Sequence, residues 1–202
     1  LGREFALLEA QGRANSTSVF AAYPFIRSPL RNLSGTAAYE TKNLNDRVND
    51  TATVTDKKVS LTSLGLTGNL QDAFMGGGIN AADLTFVMGN LNIASAGALV
   101  IDAASAQTNG RYSKVTYGIS RLQRINNSTI ISVSLNGQQA SKNLDSSEKF
   151  SLGGPTGVRA YPSGEASGDE GFKGTIELRH TYSPNWQVTA FYDFGSITKI
   201  NK

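Results

Sequence analysis

Apolar residues recur at every second position along most of this chain, a period that suits β-strands and not amphipathic helices. In STSVFAAYPFIRS (16–28), Val19, Ala21, Tyr23 and Phe25 share one face. In NLSGTAAYETKNL (32–44), Leu33, Gly35, Ala37 and Tyr39 lie on one face, with Ser34, Thr36, Glu40 and Lys42 on the other. The pattern returns at Val59/Leu61, Leu84/Phe86/Met88, Val115/Tyr117/Ile119, Ile131/Val133/Leu135, Ile176/Leu178/His180/Tyr182 and Val188/Ala190/Tyr192/Phe194. It predicts about eight strands of roughly 8–13 residues, nine if REFALLE (3–9) is also one. Turn-forming stretches at 27–32, 46–56, 75–83, 106–111, 124–129 and 183–185 separate them. In 64–88 a short helix is expected ahead of the glycine triplet Gly76–Gly78.

Strands with one apolar and one polar face build either a soluble sandwich or a membrane barrel. Three features favour the barrel. Several strands approach the length of about 9–11 residues that a tilted span requires. Tyr23, Phe25, Tyr39, Tyr117, Tyr182 and Trp186 fall toward strand ends, as interfacial aromatics do. The opposite faces are polar and mixed in size, as in a wet lumen.

Composition agrees. Charged residues are 17% of the chain, against about 25% in soluble domains, with Gly, Ser, Asn and Thr in their place. That is ordinary for an all-β envelope protein. The net charge of +3 comes from scattered residues, so nucleic acid is not an expected partner. Cysteine is absent, which excludes disulfides and thiol chemistry within this sequence. The most apolar stretch, IASAGALVIDAASA (93–106), is interrupted by Asp102 and is shorter than the roughly 20 residues of a helical span. The opening LGREFALLEA has no basic start or apolar core of a signal peptide, and the chain is expected to be an internal piece of a longer protein.

Chemistry concentrates in one stretch, GGPTGVRAYPSGEASGDEG (153–171). It lacks the phosphate-loop spacing, and Pro155 and Pro162 remove backbone donors, so it is no phosphate cradle. Glu165, Asp169 and Glu170 lack the spacing of a calcium loop and read as a solvated acidic segment. Alternation puts the single histidine, His180, on the opposite face to Asp193, which rules out a convergent triad. No catalytic residue, metal site or cofactor is expected. Arg159 remains, either solvated or acting as a latch. If Val188, Ala190, Tyr192 and Phe194 face lipid, Asp193 faces the lumen, where an arginine on an inserted loop could pair with it bidentately.

The run GQQASKNLDSSEKFSLGGPTGVRAYPSGEASGDEGFKGTIELRH (137–180) resembles the TpsB transporters of two-partner secretion, the hemolysin activator and filamentous-hemagglutinin transporter family of the Omp85 superfamily. The family's V-R-G-Y loop motif is matched at Val158, Arg159 and Tyr161, with Ala160 in place of Gly. The aromatic-x-D-x-G strand motif is matched through Phe191, Asp193 and Gly195, and FAAYPFIRSPLRNL (20–33) is similar to the family's tyrosine–proline strand.

The resemblance implies a sixteen-stranded antiparallel outer-membrane β-barrel behind periplasmic POTRA domains. Residues 1–202 would be its central-to-late part, about eight or nine strands, without the POTRA domains or terminal strands. Residues 150–172 would be an extracellular loop folded back into the lumen. Val158, Arg159, Ala160 and Tyr161 would form the functional motif, Asp193 its inner-wall partner, and Gly153, Gly154, Gly157, Phe191 and Gly195 its support. The implied role is non-enzymatic export, and activation, of a secreted TpsA-type hemolysin or adhesin across the bacterial outer membrane. Membrane lipid would be a partner; nucleic acid and small-molecule substrates would not. The other readings are an Omp85-type insertase, a passive porin and, outside the membrane, a soluble β-sandwich lectin or adhesin.

Overall fold

The alternating segments become strands that pair with their sequence neighbours in one antiparallel sheet. The computed structural model describes residues 10–48, 53–154, 157–162 and 166–199. Among them, the long strands are β1 (Ala10–Arg27), β2 (Arg31–Val48), β3 (Thr53–Asp72), β4 (Gly78–Ile93), β5 (Gly110–Arg124) and β6 (Thr129–Ala140). A two-residue ribbon, β7 (Phe150–Ser151) with β8 (Ser167–Gly168), precedes β9 (Glu170–Ser183) and β10 (Trp186–Thr198). The order β1-β2-β3-β4-β5-β6-β9-β10 leaves β1 and β10 as the edges. The strand expected at 3–9 lies outside the described residues.

Connections differ at the two ends of the sheet. Short ones (28–30, 73–77, 125–128 and 184–185) lie at one end, and the longer 94–109 and 141–169 lie at the other. Because β6 pairs directly with β9, the segment 141–169 is an excursion out of a regular hairpin.

Register decides which residues share a face. On β10 and β9, Tyr192 stands opposite Ile176 and Phe194 opposite Gly174, so Asp193 and Thr175 point the other way. Followed across the sheet, Leu33, Leu64, Leu66, Leu84, Phe86, Ile119, Val133, Ile176 and Tyr192 fall on one apolar face. Ser34, Thr36, Glu40, Lys42, Thr116, Ser134, Glu177 and Arg179 fall on the other, which carries the 141–169 loop and is called here the loop face.

Four expectations are corrected. No helix forms ahead of Gly76–Gly78; β3 runs to Asp72 and a 3₁₀ turn spans Phe74–Gly76, with Gly76 and Gly77 at φ 94° and 100°. The helix is instead α1 (Ala96–Ala104), in the stretch weighed as a membrane span. Asp102 ties the chain after it back to the helix by accepting the Thr108 amide (2.9 Å) and hydroxyl (2.7 Å) and the Asn109 amide (3.0 Å). The turns expected at 46–56 and 75–83 shrink, since β2 extends to Val48, β3 starts at Thr53 and β4 starts at Gly78. Tyr39 and Tyr117 lie mid-strand, although Tyr182 and Trp186 do flank a turn. Finally, the loop face is not uniformly polar: Val59, Leu61, Val87, Leu91 and Ile93 form a buried cluster near α1, with Leu44 and Ala98 packed against it.

Close backbone approach explains one loop-face glycine. The Tyr112 ring lies over Gly89, its partner across β4 and β5, where a Cβ would collide with it. Overpacking of that kind costs about 1–3 kcal/mol. Gly89→Ala should lower the urea midpoint of the folded protein, whereas Gly97→Ala, with open space around it, should not.

Candidate functional site

Four loop-face residues of β9 and β10 make a docking square: Asp193 stands opposite Thr175 and Phe191 opposite Glu177. The loop lays Arg159 onto it. Nε donates to Asp193 Oδ2 (2.8 Å) and Nη2 to Asp193 Oδ1 (2.9 Å), the planar fork matching the carboxylate. The Arg159 amide donates to the same Oδ2 (3.1 Å). Nη1 reaches Glu177 Oε2 (3.3 Å), and the guanidinium carbon sits 3.4 Å from the Phe191 ring centroid.

Neighbours fix the acceptors. The Thr175 hydroxyl donates to Asp193 Oδ1 (2.9 Å), and Arg179 Nη2 donates to Glu177 Oε1 (2.7 Å). Hydrogen bonding to Asp193 holds the Arg159 guanidinium above its ordinary pKa, against a desolvation penalty. The Asp193 side chain is 5% exposed and that of Arg159 35% exposed.

Turn chemistry presents this cation. Val158 N donates to Leu152 O (2.9 Å), Tyr161 N to Val158 O (3.0 Å), and Gly154 N to Tyr161 O (3.1 Å). Gly154 has φ 102°, a conformation open to glycine. Cβ atoms at Gly153 and Gly157 would collide with the carbonyls of Pro162 and Leu152, and one at Gly195 with the Leu152 side chain. Leu152 and Val158 are buried, while Ala160 and Tyr161 are exposed. Ala160 has a negative φ, so this backbone does not need the family's glycine. Glu165 lies outside the described residues. Asp169 accepts the Leu144 amide (2.8 Å) and pairs with Lys149 (3.6 Å). His180 bonds Thr129 on the apolar face, through Nδ1 at 2.9 Å, away from Asp193.

A second set of contacts was not anticipated. Glu148, 4% exposed, takes Lys42 Nζ on Oε1 (2.9 Å) and Lys114 Nζ on Oε2 (3.0 Å). Its carbonyl accepts Lys114 Nζ (2.8 Å) and Gln138 Nε2 (3.2 Å). Asp145 accepts Lys57 Nζ (2.7 Å) and caps the turn Ser146–Glu148 through the Ser147 amide. Lys42, Lys57 and Lys114 all have loop-face parity, a visible signal; the loop carboxylates that meet them have no period to place them. Breaking a buried pair by removing one partner costs about 3–5 kcal/mol.

Long paired strands with one apolar face, and a glycine-rich loop returned onto the other by an arginine–aspartate pair, define a transmembrane β-barrel segment. The chain belongs to the haemolysin secretion/activation protein ShlB/FhaC/HecB family, whose model matches residues 2–202. It is 29% identical over 199 residues to the heme/hemopexin transporter protein HuxB of Haemophilus influenzae, covering 96% of this chain and 35% of HuxB. The fold is similar to that of CdiB from Escherichia coli (TM-score 0.76, 17% identity, 92% of this chain and 35% of that one). CdiB from Acinetobacter baumannii is also similar (TM-score 0.66, 18% identity, 94% and 33%). The chain thus spans about a third of the length of these relatives.

Burial pushes the Glu148 and Asp145 carboxyls up, but the lysines and, for Asp145, Ser147 outweigh it and hold both below their ordinary values. A depressed carboxyl contributes stability above its unfolded pKa and loses it as pH falls through the folded one. The anchor should therefore be complete at neutral pH and fail in acid. Pepsin cleavage within 141–154 should rise more steeply with acid than cleavage of an unstructured peptide of the same sequence.

Proposed function

We propose that this sheet and its loop are part of an outer-membrane pore that exports one large, unfolded partner, a secreted TpsA-type hemolysin or adhesin, in two-partner secretion, and that secretion accompanies activation of that partner. The observation that carries this reading is the seat of Arg159 on Asp193, Glu177 and Phe191, which lays a loop across the polar face of a membrane-type sheet. Val188, Ala190, Tyr192 and Phe194 face lipid, and Glu40, Lys42, Glu177 and Arg179 line the route. Edges such as β1 and β10 have to be paired within a bilayer, so the sheet reads as a portion of a closed barrel.

Arg159 acts as the latch of a loop with two positions. Its pair is geometrically demanding yet solvent-accessible on the arginine side, so it biases the loop without fixing it permanently. No nucleotide is available outside the cell envelope, and folding of the cargo beyond the pore supplies the drive. HuxB is a heme/hemopexin transporter protein, so a partner screen can begin with secreted proteins that bind heme or hemopexin.

In the full-length transporter, Arg159→Ala should abolish or strongly reduce export of the partner into the medium while leaving barrel insertion intact. Normal secretion by that variant overturns the latch. The swap Arg159→Asp with Asp193→Arg should recover part of the export if the pair is what matters. Failure of another barrel protein to insert in a deletion strain, with no secreted partner, would instead indicate an insertase, and steady partner-free conductance would indicate a passive porin.

A further inference from the structure

The loop is held at two places, and they differ in kind. Its tip, around Val158–Tyr161, meets β9 and β10 through one cation whose side chain is 35% exposed. Its root, Leu144–Lys149, is held from across the sheet: by Lys42 of β2, Lys57 of β3, Lys114 of β5 and Gln138 of β6. Asp169, 1% exposed, joins the root to the edge strand by accepting the Leu144 amide while its own amide donates to Thr198 O of β10 (2.9 Å).

The register shows what the root covers. Lys42 stands opposite Val59, Val59 opposite Leu91, and Val87 opposite Lys114. One Glu148 carboxylate therefore reaches lysines on β2 and β5 from above the intervening strands, where Val59, Leu61, Val87 and Leu91 are buried. Lifting the root would strip Lys42 and Lys114 of their shared acceptor and would wet an apolar cluster. Lifting the tip exchanges a half-open ion pair for water. Gly153 and Gly154, the latter at φ 102°, lie between root and tip, where the chain can bend without moving Glu148.

We propose that Glu148, with Lys42 and Lys114, is a positioning centre that keeps the loop's root seated on the wall while the Arg159 tip engages and releases. The transport cycle is then a movement of the tip about a fixed root, not expulsion of the whole loop. This rests on the export reading above.

The test uses the full-length transporter in liposomes with its partner, carrying Lys42→Cys and Glu148→Cys; this sequence contributes no other cysteine. The untethered double variant has lost the Glu148 carboxylate from the root and should export about tenfold less than the parent protein. Bridging the two thiols with a reducible bifunctional reagent should restore export, and reduction should remove it again. Parent-like export without the tether overturns the proposal, as does a tethered protein that exports no better than the untethered one. A parent protein that exports nothing counts against the export reading, and a cargo-free measurement then decides the root. In Arg159→Ala, amide exchange at Val158 and Tyr161 should accelerate about tenfold or more, with Leu144 and Glu148 within about twofold of the parent. Equal acceleration at both places overturns the two-attachment scheme.

Discussion

The docking of the loop depends on the parity of the backbone ladder between β9 and β10. Asp193 can receive Arg159 because it stands opposite Thr175, with Phe191 and Glu177 paired beside it. A slip of β10 by one residue would turn Asp193 and Phe191 to the other face, away from Thr175 and Glu177. What resists that slip is on the far side of the sheet: Tyr192 against Ile176, Ala190 against Leu178, and the Phe194 ring lying over Gly174. Apolar packing on one face thus sets the geometry of a polar contact on the other. A substitution that weakens the latch need not touch the latch at all.

Alternation made most of this legible, because a period of two assigns faces without knowledge of partners. The Asp193 and His180 faces, the Glu40/Lys42 face and the Glu177/Arg179 face follow from counting. The loop motif made Arg159 visible as well. Contacts across long sequence separation were not legible: Lys42 and Glu148 are 106 residues apart, and nothing local to either says that they meet. Helix α1 escaped because four of its nine residues are alanine, which carries little face information in so short a segment.

One missed feature did leave a trace. Along β3 the apolar residues switch parity, from Val59 and Leu61 to Leu64, Leu66 and Leu70, while the pairing with β2 and β4 runs through without a shift. On β4, Leu84, Phe86 and Met88 hold one parity, and Val87, Leu91 and Ile93 the other. A parity switch without a bulge means that apolar side chains emerge on both faces of the same strand. At that end of the sheet the loop face therefore needs a cover, and the loop's root supplies it together with Ala98 of α1.

That cover gives the two attachments different physical characters. Charges near Val59 and Leu91 interact through a medium poor in water, where an ion pair is strong and the loss of one partner is costly. Arg159 is open to solvent on one side, where water and salt compete for it. The same chemistry, a cation on a carboxylate, therefore serves as an anchor in one place and as a catch in the other. The difference lies in the surroundings: an apolar cluster beneath Glu148, and a single aromatic ring, Phe191, beneath Arg159.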